Sequence, residues 1–415
     1  MKNEGVERHG EGEWYMPHDI QFIHKTRIVF LAHGVEKIGG VSTALISLLD
    51  ELASDEKLDV SAILFNQADA NERLPRAITL LKPPLLLSSY FSGRRGLRGL
   101  KKCLWYALHI VGRLISQRTL LRCLLILSPK ERQQFDYAIA FENNIPANKV
   151  DLCGIGYVAD KIEAEKKIAY IHNDPYKLGF TREYVLKTYA PFDVVVCVSK
   201  GCMRKLMDIC PEFKDKYKIA HNCLSYNSSF PSKEPREIDC FRLVSISRLD
   251  NKQKRIDRAI ECCAILLDRG YHFTWDIYGA GQDESWLREL AKASGVESVL
   301  SFRGVTQAPV DVIHDYDLFV MTSDYEALGM TLIEARVAKT PVVTTDFEEA
   351  KESVINGVTG WIVPRDSLQI ANKISEIISD PVLLFAIERR IDAVPFSNAP
   401  CVEEFYRAVL DSGLE

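Results

Sequence analysis

The chain has little that would tie it to nucleic acid, a metal or a membrane span. Its 415 residues carry 52 Lys and Arg against 57 Asp and Glu, a net charge of −5. It therefore lacks the overall basic field of a nucleic-acid binder, and no nucleic-acid partner is expected. No apolar run reaches the roughly eighteen residues that a transmembrane helix needs. The eleven cysteines are scattered, with no Cys-x-x-Cys and no His/Cys zinc spacing; they read as reduced, mostly buried thiols. The opening stretch MKNEGVERHGEGEWYMPHD is charged and lacks an apolar h-region, so it reads as a loose tail, not a secretory signal. The dinucleotide fingerprint G-x-G-x-x-G is missing. Short repeats and low-complexity tracts are missing too. One absence is local: between Arg73 and Lys130 there are twelve Lys or Arg and not one Asp or Glu.

What is present is an alternation of strands and helices. Short apolar, β-branched runs predict strands at 26–32, 60–65, 135–141, 168–172 and 194–199. Helical patterns lie between them, the first at 41–53. The stretch 223–240 (CLSYNSSFPSKEPREIDC) breaks the rhythm with Pro, Ser and charge, as a linker does. A second series then predicts strands at 241–247, 273–278, 299–302, 318–322, 341–344 and 360–363. Its helices are expected at 255–269, 284–293, 329–338, 367–378 and 400–412. Alternation of this kind implies parallel sheets covered by helices. The reading is α/β, two Rossmann-like doubly wound domains facing a central cleft. The boundaries are a tail at 1–24, a first domain at 25–224, a linker at 225–240, a second domain at 241–398 and a last helix at 399–415. Ligands in such sheets bind beyond the carboxyl ends of strands.

Several residues fall at those ends. Gly39 and Gly40 follow the first strand and open a helix, where bare backbone amides and the helix N-terminus suit a phosphate. Alone, the pair also reads as a tight turn. Arg248 ends a strand and Lys254 follows in a basic loop, so both can meet a phosphate or simply be solvated. Glu326 lies in the loop TSDYEALG, and Glu334 lies in the helix that follows. The amides of Leu328, Gly329 and Met330 are free to bind oxygen. The two glutamates also suit a helix N-terminus as such. His172 ends another strand, a position suited to a cleft as well as to a core. Asp315-Tyr316-Asp317 has an Asp-x-Asp pattern but leads straight into a buried strand, so no metal is expected.

The segment at about 84–127 is basic and apolar. Leu97, Leu100, Leu104, Leu108, Val111 and Ile115 recur at helical spacing, with Arg94, Arg98, Lys101 and Lys102 beside them. Such a helix can lie against an anionic membrane surface or an anionic acceptor. The absence of acids over this length favours that reading over a helix that packs on a core and solvates its cations.

At these residues the chain resembles the retaining glycosyltransferases of family 4, of bacterial surface-polysaccharide type, which have the GT-B fold. The likeness is strongest over 239–365, in SRLDNKQKRIDRAI, IYGAGQDESWLREL, FRGV, MTSDYEALGMTLIEARVAKTPVV and INGVTGWIV. It is thinner in HGVEKIGGVSTAL and KIAYIHND, and Asn222 resembles the Asn that precedes the family's linker. The resemblance implies a retaining, metal-independent hexosyltransferase without a cofactor. Its donor would be a nucleotide diphosphate-sugar, a UDP-sugar foremost. Its acceptor would be a saccharide or lipid-linked, in cell-surface polysaccharide assembly on the cytoplasmic side. Gly39 and Gly40 would receive the distal phosphate. Arg248 and Lys254 would clamp the diphosphate, Glu326 would bind the donor sugar and Glu334 the ribose. His172 would lie near sugar and acceptor, and the last helix would cross back onto the first domain. Three departures stand out. Ala327 and Leu328 replace Gly-Phe. Arg255 stands where glycine is common. The Arg248–Lys254 spacing is one residue longer than usual, which leaves Lys252 as an alternative phosphate ligand. The rival readings are a sugar-nucleotide epimerase or hydrolase on the same fold, and a non-catalytic scaffold that binds sugar nucleotide.

Overall fold

A computed structural model describes residues 25–35, 39–92, 97, 99–146, 153–226, 230–233 and 238–411. The expected tail 1–24, part of the expected linker, and Arg94 and Arg98 lie outside the described residues.

Thirteen strands are described, and every pairing is parallel. The first sheet holds β1 (Thr26–Gly34), β2 (Leu58–Asn66), β3 (Thr79–Leu81), β4 (Gln134–Ala140), β5 (Glu163–Ile171), β6 (Val194–Cys197) and β7 (Tyr217–Ile219), in the order β3-β2-β1-β4-β5-β6-β7. The second holds β8 (Phe241–Ile246), β9 (Phe273–Tyr278), β10 (Leu300–Gly304), β11 (Leu318–Met321), β12 (Val342–Thr345) and β13 (Gly360–Val363), in the order β10-β9-β8-β11-β12-β13. Strand order reverses between β1 and β4 in one sheet and between β8 and β11 in the other. A crevice opens at such a reversal because neighbouring connections leave on opposite faces. The predicted site residues other than His172, which follows β5, come after β1, β8 and β11, the strands that flank those two points.

Side chains alternate across each sheet, and the core divides accordingly. Ile28 and Phe30 of β1 belong to one apolar cluster, while Val29 and Leu31 belong to another. The first cluster is continuous between domains: it joins Leu45 and Phe405 to Leu328, Leu332 and Phe347. The last helix, Ala399–Val409, packs against β6 and β7, and Phe405 stacks on Phe30 at 6.2 Å. The helix Pro381–Ala393 is not among those expected from the sequence; Leu384, Ile387 and Ile391 bury it in the second domain. All eleven cysteines are free, and seven are buried. Among the described residues no helix is long and apolar enough to cross a membrane.

Both chain crossings are anchored on the first domain's helix Gly40–Leu52. Asn398 accepts from the Leu224 amide at 2.9 Å and donates to Glu51 at 2.7 Å. The Ser225 amide donates to the Ser47 hydroxyl at 2.6 Å. Beside them, His221 stands between Glu404 of the last helix, 2.7 Å away, and Glu352 of the second domain, 3.1 Å away. Burial alone would lower the His221 pKa, but its hydrogen bonds to Glu352 and Glu404 outweigh that and raise it to about 10. A base whose folded pKa is raised contributes stability that is complete below the unfolded value of about 6.5. That contribution is lost as pH climbs through 10. Wild-type melting temperature is therefore expected to fall more steeply between pH 8 and 10.5 than that of His221→Gln. Parallel melting curves in a thermal-unfolding series would refute the latch.

Candidate active site

The first-domain wall comes from three loops. Gly39 precedes the helix Gly40–Leu52 with φ 150°, a value that side-chain-bearing residues avoid. The first-turn amides of that helix have no intrahelical acceptors. The His33 amide donates to Glu142 at 2.8 Å, and the His172 amide donates to Asn143 at 2.9 Å. The ends of β1, β4 and β5 are thereby tied together. Sequence reasoning missed Glu142 and Asn143; their only signal was position at a strand end.

His172 lies at the end of β5, buried against the Phe141 ring at 4.5 Å and the Tyr170 ring at 5.4 Å. Neither ring nitrogen has a well-formed hydrogen bond. Burial, only partly offset by the Phe141 backbone, lowers its pKa to about 4. At neutral pH it is an uncharged imidazole.

The second-domain wall is a hydrogen-bonded unit. Lys254 Nζ donates to Glu326 Oε1 at 2.6 Å, and Ser323 Oγ donates to the same oxygen at 2.7 Å. Gln253 Nε2 donates to Glu326 Oε2 at 3.3 Å and to the Tyr325 carbonyl at 3.1 Å. Gln253 Oε1 accepts from the exposed Arg248 at 3.1 Å. Lys252 is exposed, whereas Lys254 faces Glu326. Sequence reasoning missed Gln253 as well, yet it lies within the one-residue-longer interval between Arg248 and Lys254. Arg255 adopts φ 50° and ψ 50°. Glycine at this point would be free of the left-handed cost of roughly 1 kcal/mol. Arg255 offsets it with ion pairs to Asp257 at 3.0 Å and Asp324 at 3.3 Å.

Gly329, at φ 79°, caps the helix Met330–Val337. Glu334 follows inside that helix and is buried. Its Oε2 has no hydrogen-bond partner, and burial raises its pKa to about 7. A buried carboxylate oxygen left unpaired is costly, and a hydrogen-bond donor would offset that cost.

The two walls meet. A side-chain carbon added at Gly40 would lie 3.6 Å from Met330 Cγ. The amide-bearing ends of the helices Gly40–Leu52 and Met330–Val337 therefore converge from opposite domains. Lys177 of the first domain also lies over the Tyr325 ring of the second, 5.0 Å from its centroid. Thus Gly39, Gly40, Leu328, Gly329 and Met330 form one convergent backbone end, while Arg248, Lys254 and Glu326 form one bonded unit. His172 sits beside them in an aromatic nest of Phe141 and Tyr170 at the end of β5. Asp317 of the Asp-x-Asp pattern is buried and accepts from the Arg242 amide at 2.8 Å, which ties β11 to β8.

Residues 230–392 match the family model described as glycosyl transferases, group 1. Over 132 residues the chain is 28% identical to the poly(ribitol-phosphate) alpha-N-acetylglucosaminyltransferase of Staphylococcus aureus, covering 31% of this chain and 27% of that protein. Over 143 residues it is 32% identical to the putative colanic acid biosynthesis glycosyltransferase WcaL of Salmonella typhimurium, covering 32% and 35%. The matches thus span between about a quarter and about a third of those curated relatives. Among solved structures, Anabaena HepE in complex with UDP and glucose superposes with a TM-score of 0.64 at 16% identity, covering 93% of this chain and all of that one. TarM superposes with a TM-score of 0.65 at 14% identity, covering 92% and 98%. The fold is GT-B. In this GT-B chain the family match falls on the second domain, which holds Arg248, Lys254, Glu326 and Glu334. The superposed structures cover the first domain as well.

Proposed function

We propose that the protein is a retaining glycosyltransferase that moves a sugar from a nucleotide diphosphate-sugar, a UDP-sugar foremost, to a saccharide or lipid-linked acceptor in cell-surface polysaccharide assembly. One observation carries the reading: two helix N-termini from opposite domains converge at Gly40 and Met330, with the unpaired Glu334 oxygen one turn beyond. Aligned amides facing each other attract a diphosphate. A buried carboxylate one turn further is suited to ribose hydroxyls.

In the proposed reaction the bond from the sugar's anomeric carbon to the diphosphate oxygen breaks, and a bond to the acceptor oxygen forms on the same face. The acceptor proton passes to the departing phosphate oxygen. Charge grows on that diphosphate as the bond stretches. The protein lowers the barrier by presenting the helix amides, Arg248 and Lys254 to that growing charge. Lys254, now on Glu326, would turn towards the phosphate when donor enters. Glu326, held by Ser323 and Gln253, then keeps its place for sugar hydroxyls. His172, neutral and apolar-walled, is suited to a hydrogen bond with sugar or acceptor and not to a fixed positive charge.

The test is a thermal-shift screen of nucleotide sugars followed by product analysis with saccharide acceptors in the presence of EDTA. Stabilisation grows with ln(1 + [L]/Kd), so a donor reveals itself by concentration dependence. Retained anomeric configuration and turnover unaffected by EDTA are expected. Consumption of donor without acceptor would favour an epimerase or hydrolase. Stabilisation by UDP without turnover would favour a scaffold.

A further inference from the structure

The helices Gly99–Leu114 and Gln117–Leu127 form a hairpin whose outer face joins no core. The first helix buries no residue fully. Its inner side is Leu104, Trp105, Leu108 and His109, all half-buried. Trp105 stacks on His109 at 3.9 Å and Tyr90 stacks on it at 5.1 Å. The leucine stripe expected from the sequence is thus divided: Leu104 and Leu108 turn to the protein, while Leu100, Val111 and Ile115 stay outside. The outward line is Cys103, Ala107, Ile110 and Leu114, spaced four, three and four residues apart as one helix face requires. Leu114 is 78% exposed and Ile110 58%. The second helix buries Leu120, Leu121 and Leu124 and turns Arg118, Arg122 and Ile126 outward. Ile126 is 72% exposed and Leu127 68%.

Large aliphatic side chains exposed singly are ordinary; this many in one hairpin are not. Their charged neighbours all have one sign. Between 99 and 127 stand Lys101, Lys102, Arg113, Arg118 and Arg122, and no acid. A protein partner's apolar patch would complement the leucines but leave the cations unpaired. A surface with an apolar interior beneath an anionic skin complements both.

The hairpin also packs against a helix that reaches the end of β1. The preceding helix, Leu85–Phe91, ends with the Phe91 ring edge-on to His33 at 4.9 Å and stacked on Phe65 at 5.6 Å. His33 lies near the carboxyl end of β1, the end that leads to Gly39.

We infer that the outer face of the 99–127 hairpin docks on an anionic lipid bilayer. Ile110, Leu114 and Ile126 enter the acyl boundary, and Lys102, Arg113, Arg118 and Arg122 beside them meet the headgroups. Docking there brings the first-domain rim of the cleft to the membrane, where a lipid-linked acceptor resides. The acceptor clause rests on the glycosyl-transfer reading; the docking itself does not.

The full chain is sedimented with vesicles of phosphatidylglycerol and phosphatidylcholine, and with phosphatidylcholine alone, at low and high salt. Each cation near an anionic surface strengthens binding about fivefold, and salt screens it. Binding is expected to be at least tenfold weaker without phosphatidylglycerol and at high salt. The paired changes Ile110→Glu with Leu114→Glu, and separately Arg118→Glu with Arg122→Glu, are each expected to weaken it tenfold or more. All four positions are exposed, so the melting temperature and its shift by UDP are expected to be unchanged. No binding of the wild type at low salt would overturn the inference, as would full binding by either variant. A dimer dispersed by the Ile110 and Leu114 changes, with no vesicle binding, would give the face to a second copy and also overturn it. Vesicle binding without any nucleotide shift would uphold docking while failing the transfer reading.

Discussion

Replacing Glu326 by Gln is expected to lower kcat/KM by roughly a thousandfold while leaving UDP affinity within about threefold. The size is preserved, so the loop 322–330 has no cavity to collapse into. What is lost is the charged partner of Lys254, 2.6 Å away, and the doubly held acceptor oxygens that would grip sugar hydroxyls. A group that touches the sugar and not the nucleotide changes transition-state binding without changing the affinity of the sugar-free product. Turnover by the purified variant at the wild-type rate would refute the assignment. A parallel loss of UDP affinity would move Glu326 from the sugar to the nucleotide.

The second large effect is a pH dependence of donor binding. Burial raises the Glu334 pKa to about 7, well above its value in an unfolded chain. For an acid raised in this way, folding is opposed once the pH exceeds the unfolded value of about 4.3, and the full cost, on the order of 3 kcal/mol, is reached above pH 7. Hydroxyl donors from a ribose stabilise the ionised form and recover part of that cost. The pKa must then be lower in the complex than in the free protein, and binding releases a proton. Affinity for a nucleotide diphosphate-sugar is expected to climb about tenfold per pH unit up to pH 7 and to level off above it. Titration calorimetry at pH 6 in two buffers of different ionisation enthalpy should register close to one proton released. Glu334→Gln should bind weakly at every pH and show no such slope. A wild-type affinity flat between pH 5.5 and 7.5 would exclude ribose binding at this carboxylate.

Both effects concern residues that stand out in the amino-acid sequence itself. Glu326 and Glu334 stand eight positions apart across a strand-end loop and a helix start, and Gly39-Gly40 follows an apolar strand. Local patterns of this kind survive in sequence because they reflect backbone geometry: which residue can adopt φ 79° at Gly329, and which helix begins after it. The same locality makes the strands legible, since runs buried on both faces must be apolar throughout. It fails where burial depends on distant partners. The helix Pro381–Ala393 escapes a reading by pattern because its apolar positions have meaning only once Leu384 and Ile387 meet the second-domain core.

Pattern also misleads once. Leucines at helical spacing from 97 to 115 suggest a single apolar face, yet Leu104 and Leu108 point inward and Cys103, Ala107, Ile110 and Leu114 line the outside. Spacing reports that a helix has faces. It does not report which face meets the protein, because that depends on Tyr90 and Leu120 arriving from other helices.

The sequence by itself determined the alternation of strands and helices, the parallel sheets that follow from it, and the glycines and carboxylates at strand ends, because each of these is decided within a few residues of backbone. Tertiary structure alone decided that Gly40 faces Met330, that Gln253 bridges Arg248 to Glu326, that Glu334 keeps an unpaired oxygen, and that His221 joins two domains through Glu352 and Glu404. These are contacts between segments far apart in the chain, and their energies depend on burial and distance, which arise only when the two sheets close on each other.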